Sequence, residues 1–309
     1  MAEYTDSHFD DDAIHAYFSQ VRPWEKTERE EHFRNYDTAP VHVKEFYQQN
    51  HGHQTYQFVV DTEARYSARE SRTLAMSMMD MLVISGELRD ASDPDNDHPQ
   101  IVHALQSALS VRMEGGPEWL EVTALVHDVG KLLGTPILSE DPNNPREPLP
   151  QWAVVGDTFP VGVQFSEKIV FPKFFDEDPE GKWEGNPDSK NPDFNTPTGI
   201  YDEHTGLDNL KISFSHDGYL RAVLEGEARL PKAAMDMIGY HSLYPVHREG
   251  AYQQLLCPDD RKAISAAIGF NKHDLYSKNH HVPDEQETID LLNHYKPILE
   301  DYFPHLLHW

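Results

Sequence analysis

Residues 122–132, VTALVHDVGKL, place His127, Asp128 and Lys131 inside an otherwise apolar run. Such a run is expected to be buried, and burying ionisable groups without partners is strongly unfavourable. A metal ion would compensate them, because neutral imidazole and carboxylate groups are both metal ligands. On a helix, Lys131 would lie one turn beyond His127 and on the same face. The run therefore predicts a buried metal centre, with the Lys131 ammonium directed into the same cavity toward a substrate oxygen.

Other His and Asp side chains interrupt predicted apolar helices in the same way. They are His103, His216, His241 and Asp274. Taken singly, each is also explained as a hydrogen-bonded core histidine or a helix-capping aspartate, and the His127-Asp128 pair as a helix end followed by an exposed lysine. Taken together with that pair, they give four imidazoles and two carboxylates, which suits two metal ions about 3.5 Å or more apart with one bridging carboxylate. A set without thiolate favours Fe, Mn or Co over structural Zn.

The spacing of apolar residues predicts a mainly α fold. Two helices are expected within residues 41–66, and further helices over 71–88, 101–113, 118–133, 207–224, 231–241, 261–274 and 290–302. Residues 151–162 are apolar and bounded by glycine, which is typical of a strand or an extended hairpin. Residues 135–150 and 176–205 are rich in Pro, Asp and Asn and are predicted loops. Residues 1–33 are predicted to form a flexible acidic arm, and no linker divides residues 34–309, so one catalytic domain is expected there.

Composition narrows the range of partners. The net charge of −27 argues against binding to nucleic acid or to an anionic membrane surface. The single cysteine, Cys257, excludes an internal disulfide, a thiolate zinc site and an iron–sulfur cluster, and it indicates a reducing compartment. The N-terminus is acidic where a signal peptide would be basic and then apolar, and no apolar run is long enough to span a membrane. We therefore expect a cytoplasmic protein, and we expect it to be a monomer.

A specific resemblance emerges from motifs spread along the chain. The pair His127-Asp128 with Gly130-Lys131 resembles the signature of the HD-domain superfamily of helical metal-binding proteins. In order and spacing, five segments between about residue 34 and residue 309 resemble the myo-inositol oxygenase family: HDVGK at 127–131, PQWAVVGDTFPVG at 150–162, SHD at 215–217, HSLYP at 241–245 and FNKHDLYSK at 270–278. The resemblance implies an HD-domain-like helical bundle with a small extended excursion in its middle.

The resemblance also implies an activity and a site. The family activity is cleavage of the C1–C6 bond of myo-inositol with O2 to give D-glucuronate, at a mixed-valent Fe(II)/Fe(III) pair. By motif, one iron would be held by His103, His127 and Asp274. The other would be held by His216 and His241, with Asp128 bridging both. The substrate would chelate the iron at His216 and His241, which makes His241 a substrate-site residue as well. Lys131 and Asp128 would be catalytic.

The substrate contacts that the resemblance implies are residue types that suit a neutral polyol. Such a ligand needs paired hydrogen-bond donors and acceptors rather than an arginine clamp. The implied contacts are Arg34, Asp90, Lys131, Gly156, Asp157, Ser242 and Lys278. Two segments depart from the expected family pattern: residues 135–150 are longer, and residues 176–205 differ in composition.

Two other classes of protein stay open at this point. An HD-type metal-dependent phosphohydrolase would use the metals to activate water against a phosphate ester. It predicts Arg or Lys side chains clustered near the metals, and beyond Lys131 and Lys278 the sequence offers few. A non-catalytic metal-binding or scaffold protein would need no substrate at all.

Overall fold

The computed structural model describes residue 36 and residues 39–92, 98–275 and 281–309. The α-helices in these ranges are α1 Val41–His53, α2 Tyr56–Thr62, α3 Met78–Gly86, α4 Gln100–Met113, α5 Glu118–Val126, α6 His216–Leu224, α7 Lys232–Tyr240, α8 Tyr244–His247, α9 Asp260–Asp274 and α10 Glu285–Tyr302. Two-residue strands, β1 Ala75–Met76 and β2 Leu307–His308, pair antiparallel. The prediction of a mainly α fold is confirmed. The predicted arm, residues 1–33, lies outside the described residues.

Helices α4 to α7 and α9 form the bundle that carries the site. Helix α4 packs on α5, and α7 packs on both α6 and α9. Their facing side chains are fully buried; examples are Leu105, Leu120, Met237 and Phe270. Full burial of one such side chain stabilises the fold by about 1.5–3 kcal/mol. The ends of these helices are therefore held in fixed positions relative to one another.

The helix predicted over residues 118–133 breaks in the middle. Helix α5 ends at Val126, and a 3₁₀ turn, Val129–Gly134, follows His127 and Asp128. The reason lies outside the segment. A Cβ atom at Gly130 would lie 2.3 Å from the backbone oxygen of His216, so the chain approaches α6 more closely than any side chain permits. The contact places the residues after α5 directly beside the start of α6.

Replacing Gly130 with alanine is expected to lower the free energy of unfolding by about 3 kcal/mol, because the added methyl group would meet backbone rather than a movable side chain. Urea denaturation would measure the loss. Gly218→Ala is the matched control: a Cβ atom there meets open space within helix α6, so this substitution should be neutral or slightly stabilising. Equal effects from the two substitutions would contradict the packing argument.

The extended excursion exists, but it pairs with a region that was predicted to be helical. The amide of Val161 donates to Lys211 O at 2.9 Å, and the amide of Ser213 donates to Phe159 O at 2.7 Å. The region around residues 207–215, predicted as the start of a helix, thus runs beside residues 159–161, and α6 begins only at His216. A hairpin within residues 151–162 is not formed. That segment contains a 3₁₀ turn and one bridge at Pro160, which lacks the N–H that a longer ladder needs.

Other boundaries differ by less. Residues 75–76 form β1, so the helix predicted over 71–88 begins only at Met78, where the Ser77 hydroxyl accepts from the amide of Asp80 at 3.1 Å. The predicted connector 135–150 is packed against the rest of the fold. Its Arg146 is 1% exposed and donates to Trp309 O at 2.7 Å. No helix in the described ranges combines the length and apolar composition that a bilayer crossing requires.

Candidate metal centre

The six side chains predicted to bind metal converge at one place, each from a helix end or helix interior. His103 comes from α4 and Asp274 from the last residue of α9, whereas the others lie directly after α5, at the start of α6 and directly after α7. All are buried, with at most 6% of the residue exposed. The six are His103, His127, Asp128, His216, His241 and Asp274. Helices distant in sequence thus bring together the groups that the sequence predicted to act together.

The imidazoles divide into two groups around Asp128. On one side, Asp128 Oδ2 lies 3.6 Å from His103 Nε2 and 3.5 Å from His127 Nε2. Asp274 Oδ1 completes this group, at 3.0 Å from His103 Nε2 and 3.6 Å from His127 Nε2. On the other side, Asp128 Oδ1 lies 3.0 Å from His216 Nε2 and 3.6 Å from His241 Nε2. The two carboxylate oxygens therefore face different sets of nitrogens.

Backbone carbonyls orient three of the imidazoles. Nδ1 of His127 lies 2.8 Å from Ala124 O, Nδ1 of His216 lies 2.7 Å from Val154 O, and Nδ1 of His241 lies 3.1 Å from Ile238 O. A carbonyl only accepts, so each Nδ1 carries a proton that it donates, and each Nε2 faces the centre. Among the described residues, His127 Nε2 has no hydrogen-bond partner although it is fully buried. An unpaired buried nitrogen of this kind fits a metal ligand.

Buried negative charge exceeds positive charge around the cavity. Among the described side chains at the site, the carboxylates of Asp90, Asp128, Asp217 and Asp274 are at most 11% exposed, and they face one permanent cation, Lys131. Burial lowers the pKa of His241, but the carboxylates of Asp217 and Asp128 outweigh this and raise that pKa to about 9. The carboxylates that stabilise a proton on His241 would also attract a metal cation, which competes with the proton for the imidazole nitrogen.

Lys131 is held between two of these carboxylates. Its Nζ donates to Asp90 Oδ2 at 2.8 Å and to Asp128 Oδ2 at 2.9 Å. Burial lowers the pKa of Lys131, but the two carboxylates raise it by a larger amount. The net shift of the pKa is upward, so the group stays an ammonium. Ser92 holds the other oxygen of Asp90 through its backbone N–H and its hydroxyl. The ammonium thus stands fixed at the cavity wall, next to the carboxylate that faces both groups of histidines.

Of the other predicted substrate contacts, two line the cavity, one is buried next to it, and two lie outside the described residues. Gly156 and Ser242 line the cavity together with Asp90 and Lys131. Gly156 has φ +94°, a conformation that favours glycine. Asp157 is buried beside them, but its Oδ1 accepts a hydrogen bond from the Tyr47 hydroxyl at 3.0 Å, and its side chain is not part of the cavity wall. Arg34 and Lys278 lie outside the described residues.

The sequence interpretation missed two residues at the site. Asp217 is 1% exposed, its Oδ1 lies 3.0 Å from His216 Nε2, and it accepts hydrogen bonds from the backbone N–H and hydroxyl of Ser242. A signal existed, since His216-Asp217 repeats the His-Asp pair at 127–128. Gln100, whose Oε1 accepts from Lys131 Nζ at 3.0 Å, had no such signal, because a neutral side chain at a helix start is unremarkable in sequence.

Comparisons with known proteins match nearly the whole chain. Residues 40–309 match the family model described as myo-inositol oxygenase. The chain is 41% identical to the probable inositol oxygenase of Oryza sativa subsp. japonica, over 90% of this chain and 85% of the relative. It is 37% identical to the inositol oxygenase of Danio rerio, over 95% and 98%, and 35% identical to that of Dictyostelium discoideum, over 93% and 92%. The residues matched by the family model include all six converging side chains.

Proposed function

Because the chain belongs to the myo-inositol oxygenase family, we propose that it cleaves the C1–C6 ring bond of myo-inositol with O2 to give D-glucuronate at a site that holds two irons. The observation that carries the two-iron assignment is the position of Asp128. Its two oxygens face separate groups of imidazole nitrogens, as a carboxylate bridging two ions would require. We assign His103, His127 and Asp274 to one ion and His216 and His241 to the other.

The donor set of this site suits redox-active iron. Four imidazoles and two carboxylates, without a thiolate, are ligands typical of Fe and Mn enzymes. A bound Fe(II)/Fe(III) pair would supply the one-electron and Lewis-acid chemistry that O2-dependent cleavage of a C–C bond needs. The protein would contribute position and charge. Lys131 would donate a hydrogen bond to a substrate oxygen and stabilise negative charge that develops on it.

Recognition of myo-inositol would use neutral and charged hydrogen-bonding groups on the cavity wall. Asp90, Ser242 and the backbone at Gly156 lie next to Lys131 and provide both donors and acceptors for ring hydroxyls. Arg34 and Lys278 stay in the proposal as contacts implied by their motifs.

A single catalytic domain over residues 34–309, a monomeric state and a cytoplasmic location stay predictions from the sequence.

Asp157→Ala is expected to raise KM for myo-inositol about tenfold and to change kcat less than about threefold, because the family resemblance implies that Asp157 contributes uniform binding. Steady-state oxygen uptake would separate the two constants. Tyr47→Phe is the matched control, because it removes the same Tyr47–Asp157 hydrogen bond and keeps the carboxylate. Equal KM values for the two variants would mean that Asp157 only supports Tyr47 and does not contact the substrate.

An oxygen electrode tests the function directly. Iron-loaded, partly reduced protein is expected to consume O2 when myo-inositol is added and to release D-glucuronate in equal amount, as identified by mass spectrometry. Bound iron without oxygen uptake would contradict the proposal and support a non-catalytic protein.

Release of phosphate from nucleotides or sugar phosphates would support the phosphohydrolase. That alternative is disfavoured by the charge of the site, since Lys131 is the only lysine or arginine among the described residues that line the cavity.

A further inference from the structure

The ammonium group of Lys131 has no hydrogen-bond donor to spare. An ammonium carries three N–H groups. Lys131 Nζ donates to three acceptors: Asp90 Oδ2 at 2.8 Å, Asp128 Oδ2 at 2.9 Å and Gln100 Oε1 at 3.0 Å. The proposed function requires the same nitrogen to donate to an oxygen of the substrate. A substrate oxygen must therefore replace one of the three acceptors.

Gln100 is the acceptor most easily replaced. An ammonium attracts a carboxylate more strongly than a neutral amide, because the negative charge adds a direct Coulombic attraction. Both carboxylates are also held from their other oxygens, Asp90 by Ser92 and Asp128 by His216. Gln100 is the neutral member of the three, so exchange of its amide oxygen for a substrate hydroxyl keeps both ion pairs of Lys131.

The displaced amide would stay at the substrate. Gln100 is the first residue of α4, its backbone N–H is fixed by Leu88 O at 3.0 Å, and its side chain lines the same cavity as Lys131. A primary amide offers one acceptor and two donors without a charge, which matches the hydroxyls of a neutral polyol. A hydroxyl with inverted configuration would leave part of this amide unpaired in a buried site, which is unfavourable.

We propose that Gln100 is a substrate-binding residue that contributes to selection among inositol stereoisomers, because it exchanges its hydrogen bond to Lys131 for contacts with the bound substrate. The inference rests on the proposed function of the site. It adds to that function a residue for which the motifs gave no role.

Two substitutions test the exchange. Gln100→Glu keeps the shape of the side chain but gives Lys131 a third charged acceptor, so KM for myo-inositol and its calorimetric Kd should both rise about tenfold while kcat stays within about twofold. Gln100→Leu removes the amide. The preference in kcat/KM for myo-inositol over isomers with one inverted hydroxyl should then fall about tenfold. Iron content per chain should be unchanged in both variants.

A matched control lies on the same helix. Gln106 is also buried in α4, but its amide donates to the backbone oxygen of His281, so Gln106→Leu should change neither KM nor isomer preference. Gln100→Asn, which keeps a neutral amide on a shorter side chain, gives a second measurement of isomer preference if the leucine variant folds poorly. Absence of turnover in the unsubstituted protein would overturn the proposed function. Normal turnover, with KM, Kd and isomer preference unchanged by the Gln100 substitutions, would overturn only the inference about Gln100.

Discussion

His127→Ala is expected to lower the iron content of the purified protein from two ions per chain to about one and to reduce turnover of myo-inositol by ~10³-fold or more. The side chain is fully buried, and its Nε2 faces Asp128 and Asp274 without a hydrogen-bond partner among the described residues. Loss of this imidazole leaves a position that the neighbouring fixed side chains cannot fill. Elemental analysis and oxygen-uptake rates would measure the two effects.

A second buried histidine provides the control for that experiment. Both ring nitrogens of His51 have partners, Asn50 Oδ1 at 3.0 Å and Val170 O at 2.6 Å, the ring stacks on Phe175, and His51 is not one of the described residues that line the cavity. His51→Ala should lower stability but keep both irons, provided that circular dichroism shows a folded protein. A folded His127→Ala variant with full iron content would contradict the ligand assignment.

Lys131→Ala is expected to retain both irons and to lower kcat by ~10²–10³-fold, which is the usual loss when one group that stabilises developing charge is removed. Lys131 donates to Asp128 but is not itself placed as a metal ligand, so its loss should affect the reaction more than metal binding. Iron content and steady-state kinetics on the same sample would separate these effects.

Restoring the charge alone tests why Lys131 matters. Lys131→Arg keeps a permanent cation but changes its shape and hydrogen-bond geometry. Partial recovery of kcat relative to the alanine variant would support an electrostatic role. Loss of iron from Lys131→Ala would instead show that this residue mainly maintains the metal centre.

The convergence of the candidate ligands could be predicted from the sequence because burial makes polar residues informative. His127 and Asp128 interrupt an apolar helix, and such groups are retained in a core only with partners. The same reasoning applied to His103, and the structure brings it within 3.0 Å of Asp274, which is 171 residues away in sequence. Periodicity also predicted most of the helices, since each buries an apolar face.

The differences between prediction and structure arise from contacts that are distant in sequence. The break after α5 depends on the approach of Gly130 to His216, and local helix propensity contains no information about it. The extended course of residues 211–213 depends on hydrogen bonds to residues 159–161. Nor could the motif indicate that the Asp157 carboxylate accepts a hydrogen bond from Tyr47, a partner 110 residues earlier in the chain.

The approach at Gly130 has a consequence for the metal centre. His127 and Asp128 lie on one side of this contact and His216 on the other, and here main chain touches main chain. Side chains can change rotamer to suit an ion, but two peptide backbones already at van der Waals distance cannot move closer together. The polypeptide backbone would thus set a lower limit on the separation of two ions held here. Metal exchange or repacking of nearby side chains should not shorten that separation.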